Sequence, residues 1–261
     1  MKDLIYDALT PLVSVVMPAY NAEPYIEAAV RSVMGQTIRN WELILLDDAS
    51  QDGTWAVAQS LAAEDDRITV LRNAENMGVA RTRNRGIAMC AGRYVALLDS
   101  DDVWYPHKLE TQLRRMKETN AELSYTSYAI VGADGKKVKG DYLVPDAVSF
   151  DSLLKENVIG CSTVLISAKI AKENPFSVDF YHEDYVLWLQ LLRGNCPAVG
   201  CTEVLTDWRY IENSRSFDKR KAVKNRWQIY RKHLRLSVPQ SLWLLANYGI
   251  NGLKKYLRAI G

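Results

Sequence analysis

The chain has 261 residues, 48% hydrophobic and 25% charged, with only 14 glycines and 8 prolines; this is the composition of a folded protein with a full-sized core and excludes disordered, collagen-like and low-complexity architectures. The net charge of +2 hides an asymmetry: residues 219–261 carry 11 Lys/Arg and no Asp or Glu, so residues 1–218 hold all 31 acids against 22 basic residues, a balance of −9. An acidic body with a basic tail implies two different tasks.

In chain order, Leu12–Met17 is a short apolar run closed by Pro18, as expected of a buried strand. Asn21 and Pro24 then suit the start of a helix whose apolar face is Ile26, Ala29, Val30 and Val33. A second buried strand, Trp41–Leu46, ends in Asp47-Asp48. A helix from Thr54 to Ala63, a strand Ile68–Leu71, a helix from Val79 to Cys90 and a strand Tyr94–Leu98 follow, the last ending in Asp99-Ser100-Asp101-Asp102. Strands alternating with helices of this length predict an α/β fold, a mostly parallel Rossmann-like sheet flanked by helices. Ligands in such sheets sit beyond the carboxyl ends of the strands. Acids there often serve only as turn formers, but two successive strands ending in paired aspartates at that edge point to a site.

Past Tyr105 the pattern changes. A helix is expected over 106–119, a strand over Leu123–Val131, a hairpin turn at Asp134-Gly135, a short helix over 149–157 and a strand over Ser162–Ser167. A helix over Asp184–Arg193, strand pieces at Ala198–Cys201 and Val204–Tyr210, and a helical tail broken near Pro239 complete the chain.

Asp99 and Asp101 place two carboxylates two residues apart just past a strand. Hard oxygen donors in that pattern suit Mg²⁺ or Mn²⁺ bridging to phosphate oxygens, where the cation neutralises a diphosphate. Pro18-Ala19-Tyr20-Asn21 and the run Asp47–Thr54 lie at the ends of the first two strands, where a ring can stack on a nucleobase and a carboxylate can accept its N–H. Neither G-x-G-x-x-G nor G-x-x-x-x-G-K-[ST] occurs, so a dinucleotide fold and a P-loop are not supported. Cys90, Cys161, Cys196 and Cys201 show no C-x-x-C spacing, and free thiols in a reducing compartment are expected rather than a zinc site. No run of 18 apolar residues occurs, and Asp3 and Asp7 interrupt any signal-peptide core, so a cytoplasmic location is expected.

The segments P-A-Y-N, D-D-A-S-Q-D-G-T, N-M-G-V-A-R-T-R-N-R-G and L-L-D-S-D-D, in that order and spacing, resemble the family 2 glycosyltransferases of the GT-A fold. His182-Glu183-Asp184 followed by Trp188 is similar to that family's E-D-x-x-x-W segment, and Trp208–Ser216 to its Y-R-x-x-x-x-S-x-S segment, with Trp208 in place of the usual Tyr. The resemblance spans about residues 11–217 and implies a catalytic domain over 1–217, with a nucleotide-sugar half over 11–105 and an acceptor half over 106–217. It implies an inverting, metal-dependent transfer of a sugar from a UDP-sugar donor to a hydroxyl of a glycan acceptor, lipid-linked acceptors included, in bacterial surface-polysaccharide or lipooligosaccharide synthesis. By the same resemblance Tyr20 and Asp48 hold the base, with Pro18 and Asn21 beside them. Arg83 frames the nucleotide together with Asn76, Gly78 and Asn84. Asp99 reaches the ribose, Ser100 lies beside it, and Asp101 holds Mn²⁺ or Mg²⁺ and the diphosphate. Asp184 is the general base, and His182, Glu183, Trp188 and Arg209 are candidates for contact with acceptor or diphosphate. The residues alone also allow Glu183 and Asp184 to be helix caps.

Residues 218–261 interleave Lys and Arg with Trp227, Tyr230, Trp243, Leu244, Tyr248 and other apolar side chains. Such a basic amphipathic helical tail suits the surface of an anionic membrane, placing the enzyme at the inner face of the cell membrane, or packing against the body or a second copy of the chain. Nucleic acid is not an expected partner, since no binding motif accompanies the charges and the body is acidic. A nucleotidylyltransferase is disfavoured by the lack of a Gly-rich, basic N-terminal loop. A non-catalytic nucleotide- or glycan-binding subunit of the same fold is the remaining alternative.

Overall fold

The structure, a computed structural model, describes residues 10–211 and 219–258. Among the described residues nine strands form one sheet: β1 (Val13–Ala19), β2 (Trp41–Asp47), β3 (Ile68–Arg72), β4 (Tyr94–Leu97), β5 (Val103–Trp104), β6 (Leu123–Val131), β7 (Lys137–Tyr142), β8 (Leu165–Ser167) and β9 (Ala198–Arg209). Their spatial order is β3-β2-β1-β4-β8-β6-β9-β5, with β7 paired to β6 beyond that path. The β3-β2-β1-β4 half is entirely parallel, as the strand–helix alternation predicts. β8 then runs antiparallel to both β4 and β6, while β6 and β9 are parallel along their length. The α/β class holds, with a mixed sheet in the second half.

Alternation along each central strand feeds two cores. On β1 and β2, Val13, Val15, Met17, Leu43 and Leu45 face one side, where they meet α1 (Ile26–Met34), α2 (Thr54–Ala62) and α4 (Lys108–Thr119). Val16, Ile44 and Leu46 face the other, under α3 (Val79–Met89) and with α5 (Phe150–Lys155), α6 (Ala168–Glu173) and α7 (Glu183–Arg193). Strands buried on both faces read as continuous apolar runs, which is why these were legible in sequence.

Several local expectations change. Asn21 does not cap α1; it sits in the left-handed region at φ 50° and its Oδ1 accepts Gln51 N–H at 2.8 Å, tying the β1 loop to the β2 loop. The strand expected over Ser162–Ser167 is a short 3₁₀ turn at Cys161–Thr163 followed by β8. The two strand pieces after residue 198 are one strand, β9, whose register against β6 shifts near Thr126–Tyr128.

The basic segment is helical: α8 (Lys219–Gln228), a π turn over Ile229–His233 and α9 (Val238–Arg258), broken where Arg235 takes φ 56°. It does not stand apart from the body. Ile229 and Tyr230 are fully buried, and with Leu234 and Leu244 they join the core that contains α5 and α7. Among the described residues no helix is long and apolar enough to cross a membrane.

Candidate active site

Because β1, β2 and β4 are parallel, their carboxyl ends lie along one edge, and a cavity of about 860 Å³ opens there. Pro18, Tyr20, Asp48, Asp99, Ser100 and Asp101 line one side. The loop leading into α7 forms another wall with Phe180, Tyr181, His182, Glu183 and Asp184, while Trp208 and Arg209 reach in from the end of β9. Residues more than 80 positions apart in sequence thus meet in a space of the size that takes a small ligand.

Tyr20 is 47% exposed, so an aromatic face is available at the rim. The two aspartates after β2 divide. Asp47 is fully buried and pairs with Arg72 Nε at 2.9 Å, a bond that ties β2 to β3. The Asp48 carboxylate reaches the cavity but also accepts Asn73 Nδ2 (2.6 Å), Met77 N–H (2.9 Å) and Gly78 N–H (2.9 Å). Of roughly four acceptor positions on a carboxylate, two therefore shape the Asn76–Gly78 loop, one holds Asn73, and one is left for a ligand. Gly78, at φ 82°, permits the chain reversal that aims those N–H groups inward.

At the centre lies Arg83, on α3 and 4% exposed. Its Nη2 donates to the Asp99 carboxylate and its Nη1 to Glu183 at 2.6 Å, so one guanidinium joins the end of β4 to the start of α7. Burial opposes its charge, but Asp99 and Glu183 outweigh this and hold its pKa well above the ordinary value. Arg83, which was expected to frame the nucleotide, lines the cavity and there holds two protein carboxylates.

Among the described residues no second guanidinium pairs with the remaining acids of this wall. Burial and the nearby Asp99 charge push the Asp101 carboxyl up to about 6. Asp102 is pushed up by burial and by Asp101 and Asp99; it accepts Arg209 N–H at 2.8 Å and holds β9 against the acidic loop. Asp184 is pushed up to about 6 by burial and by Glu183, with Arg83 acting in the opposite direction. It lies in the first turn of α7, where the helix dipole favours its ionised form. A carboxylate rim with more negative than positive charge fits a divalent cation. Mg²⁺ and Mn²⁺ are commonly held by one or two carboxylates plus substrate phosphates, and no group of three or more His, Cys, Asp and Glu forms a ready cage among the described residues.

Arg209 lines the cavity, but its Nε donates to Asp101 O (2.7 Å) and its Nη1 to Gly132 O and Ala133 O (both 3.0 Å). It is chiefly a clamp between β9, the acidic loop and the β6–β7 turn. Trp188 was expected at acceptor or diphosphate and is instead fully buried, edge-on to Phe176 in the core under α7. Four residues past Asp184 on the same helix, it packs inward while Asp184 faces the cavity. Asn21 is likewise absent from the cavity wall. Phe180, Tyr181 and Asn225 went unnoticed in the sequence. The first two lie in an irregular loop with no motif, and Asn225 lies inside a helix read for its cationic and apolar side chains.

The family model for glycosyl transferase family 2 matches residues 14–165, more than half of the chain. The chain belongs to that family. Among curated relatives, "Putative teichuronic acid biosynthesis glycosyltransferase TuaG" of Bacillus subtilis (strain 168) is 39% identical over 247 residues, covering 95% of this chain and 98% of that protein. The UDP-Glc:alpha-D-GlcNAc-diphosphoundecaprenol beta-1,3-glucosyltransferase WfgD of Escherichia coli is 37% identical over 247 residues, covering 94% and 95%. Among solved structures, S. aureus TarS 1–349 in complex with UDP-GlcNAc superposes with a TM-score of 0.67 at 18% identity, covering 90% of this chain and 71% of that one. The mannosyltransferase PcManGT from Pyrobaculum calidifontis, in complex with GDP-Man and Mn2+, gives 0.68 at 15% identity, covering 95% and 76%. At such identities the structural likeness shows the fold, and the family assignment rests on the sequence matches.

Proposed function

We propose that this glycosyltransferase moves a hexose, with inversion, from a UDP-sugar to a hydroxyl of a glycan carried on a lipid diphosphate, in the assembly of a bacterial surface polysaccharide. The observation that carries the reading is the meeting of Asp99 and Asp101 with Asp184 in one cavity, held in register through Arg83. The names of TuaG and WfgD support the pathway, and that of WfgD the donor and the lipid-linked acceptor.

In this reading Tyr20 stacks on the base and the remaining acceptor position of Asp48 takes a base N–H. Asp184 removes the proton of the acceptor hydroxyl as its oxygen attacks the anomeric carbon, and the bond from that carbon to the diphosphate oxygen breaks. Asp101, with Asp99 beside it, holds Mn²⁺ or Mg²⁺, which when bound neutralises the diphosphate as it leaves. A donor panel tests this: purified protein with several UDP- and GDP-sugars, each with Mn²⁺ or with EDTA. Nucleotide release from one UDP-sugar, abolished by EDTA, is expected; release from GDP-sugars alone would overturn the donor assignment.

A lipid-linked acceptor brings the enzyme to a membrane surface, and the C-terminal helices suit that surface. Leu242 and Trp243 on α9 are each 56% exposed, in a segment that carries only positive charge. Neighbouring apolar and cationic side chains favour anionic lipid. Co-sedimentation with anionic vesicles is expected for the parent and reduced for Leu242→Ser/Trp243→Ser. Equal sedimentation of the two, or none of the parent, would exclude this surface.

A further inference from the structure

Two adjacent residues of α8 grip the chain on both sides of Asp184. Asn225, 4% exposed, accepts Tyr181 N–H through Oδ1 at 3.0 Å, and its Nδ2 lies 2.9 Å from His182 Nδ1. Arg226 donates from Nη1 to the hydroxyls of Tyr185 (3.1 Å) and Tyr230 (3.2 Å), and its guanidinium lies over the rings of Tyr185 and Tyr248. Both residues lie beyond the stretch matched by the family model.

Hydrogen-bond chemistry fixes which atoms face which. A backbone N–H can only donate, so the Asn225 atom facing Tyr181 N is the amide oxygen, and the amide nitrogen faces the imidazole. An amide NH₂ also only donates, so His182 Nδ1 must accept and carries no proton. The hydrogen bond at one ring nitrogen thereby places the proton on the other, Nε2.

We infer that Asn225 is a positioning residue of the active site: it holds His182 in the Nε2–H form, so that the ring lining the cavity meets the ligand as a donor. With Nδ1 occupied and Nε2 protonated, His182 is no base, which leaves the acceptor proton to Asp184. Resting on the UDP-sugar reading, the oxygen that this donor suits is one of the donor diphosphate. The basic helix therefore belongs to the catalytic unit as well as to its surface.

The test uses the full chain, labelled with ¹⁵N at its three histidines, with His182 assigned by the signal lost in His182→Gln. The unliganded parent is expected to show His182 as the Nε2–H tautomer. Asn225→Asp keeps an acceptor for Tyr181 N–H but offers a second acceptor to the ring, so the proton is expected to move to Nδ1. Losing one hydrogen bond to a charged ligand, about 1.4 kcal/mol, weakens UDP about tenfold. Asn225→Ala, which adds no charge, is expected to give both tautomers and a smaller loss of UDP affinity. An Nδ1–H form in the parent, or parental UDP affinity in both variants, would overturn the inference. Should the variants fail to fold, the parent spectrum alone still decides the tautomer. A parent that binds no UDP counts against the donor reading alone, because the spectrum is read without ligand.

Discussion

Replacing Asp184 with Asn is expected to lower sugar transfer about 10²- to 10⁴-fold while UDP still binds. The amide is nearly isosteric and its oxygen can keep the bond that Asp184 Oδ1 accepts from Tyr185 N–H at 2.7 Å. What it cannot do is take a proton from the acceptor. The parent should also show an acid limb in kcat/KM. Burial and Glu183 push the Asp184 carboxyl up to about 6, and only the ionised form is a base, so the rate falls as pH drops through that value and is flat above it. Asp101, whose carboxyl is also pushed up to about 6, is common to parent and variant, so the part of the limb that belongs to it should remain in Asp184→Asn. A variant with parental turnover would remove Asp184 from the base role.

The largest effect on stability is expected at Arg83. Its guanidinium is shared by Glu183, whose side chain is 6% exposed, and by Asp99 at 33%. Arg83→Met takes the Arg83 guanidinium away from the buried Glu183 charge, a loss of about 3–5 kcal/mol, or roughly 6–20 °C in melting temperature for a domain of this size. Most of the cost belongs to Glu183, since Asp99 can turn toward water. Adding Glu183→Leu to Arg83→Met should recover part of the loss, because the buried charge that Arg83 balanced is then gone. Arg83→Lys should not restore the parent, since one ammonium lacks the fork that reaches two carboxylates. Thermal melts of the four proteins decide the matter, and a single Met variant melting with the parent would contradict the pairing.

The first half of the fold was legible because β1, β2 and β4 are buried on both faces and stand out as apolar runs closed by acids. Elements that exist only through distant pairing were not. β5 is two residues long and is a strand because Val103 and Trp104 meet Asp207 and Thr206 of β9. The six residues of α6 depend on packing beside β8 and a serine cap at Ser167, and carried no periodicity long enough to notice. The site divides in the same way. Asp48, Asp99, Asp101 and Asp184 announce themselves as acids at element ends. The Arg83–Glu183 pair spans 100 positions, and neither residue hints at the other. Trp188 matched a spacing, but its neighbours Val186, Leu187, Leu189 and Leu191 already marked a stretch of helix buried on every side. The tail was read as basic and amphipathic, but which of its residues turn inward was not legible: its place in the molecule is set by Asn225, Arg226, Ile229 and Tyr230, all buried.

The central claim is that the Asp184 cavity catalyses transfer between a UDP-sugar and a lipid-linked glycan. It is tested most directly by incubating the full chain with UDP-glucose, Mn²⁺ and a short-chain lipid diphosphate bearing N-acetylglucosamine, then determining the product by mass and by the configuration of the new linkage. The account predicts one added hexose per acceptor, inverted at the anomeric carbon, with one UDP released for each, and no product from Asp184→Asn. UDP release that leaves the acceptor unmodified, or a product of retained configuration, would contradict it.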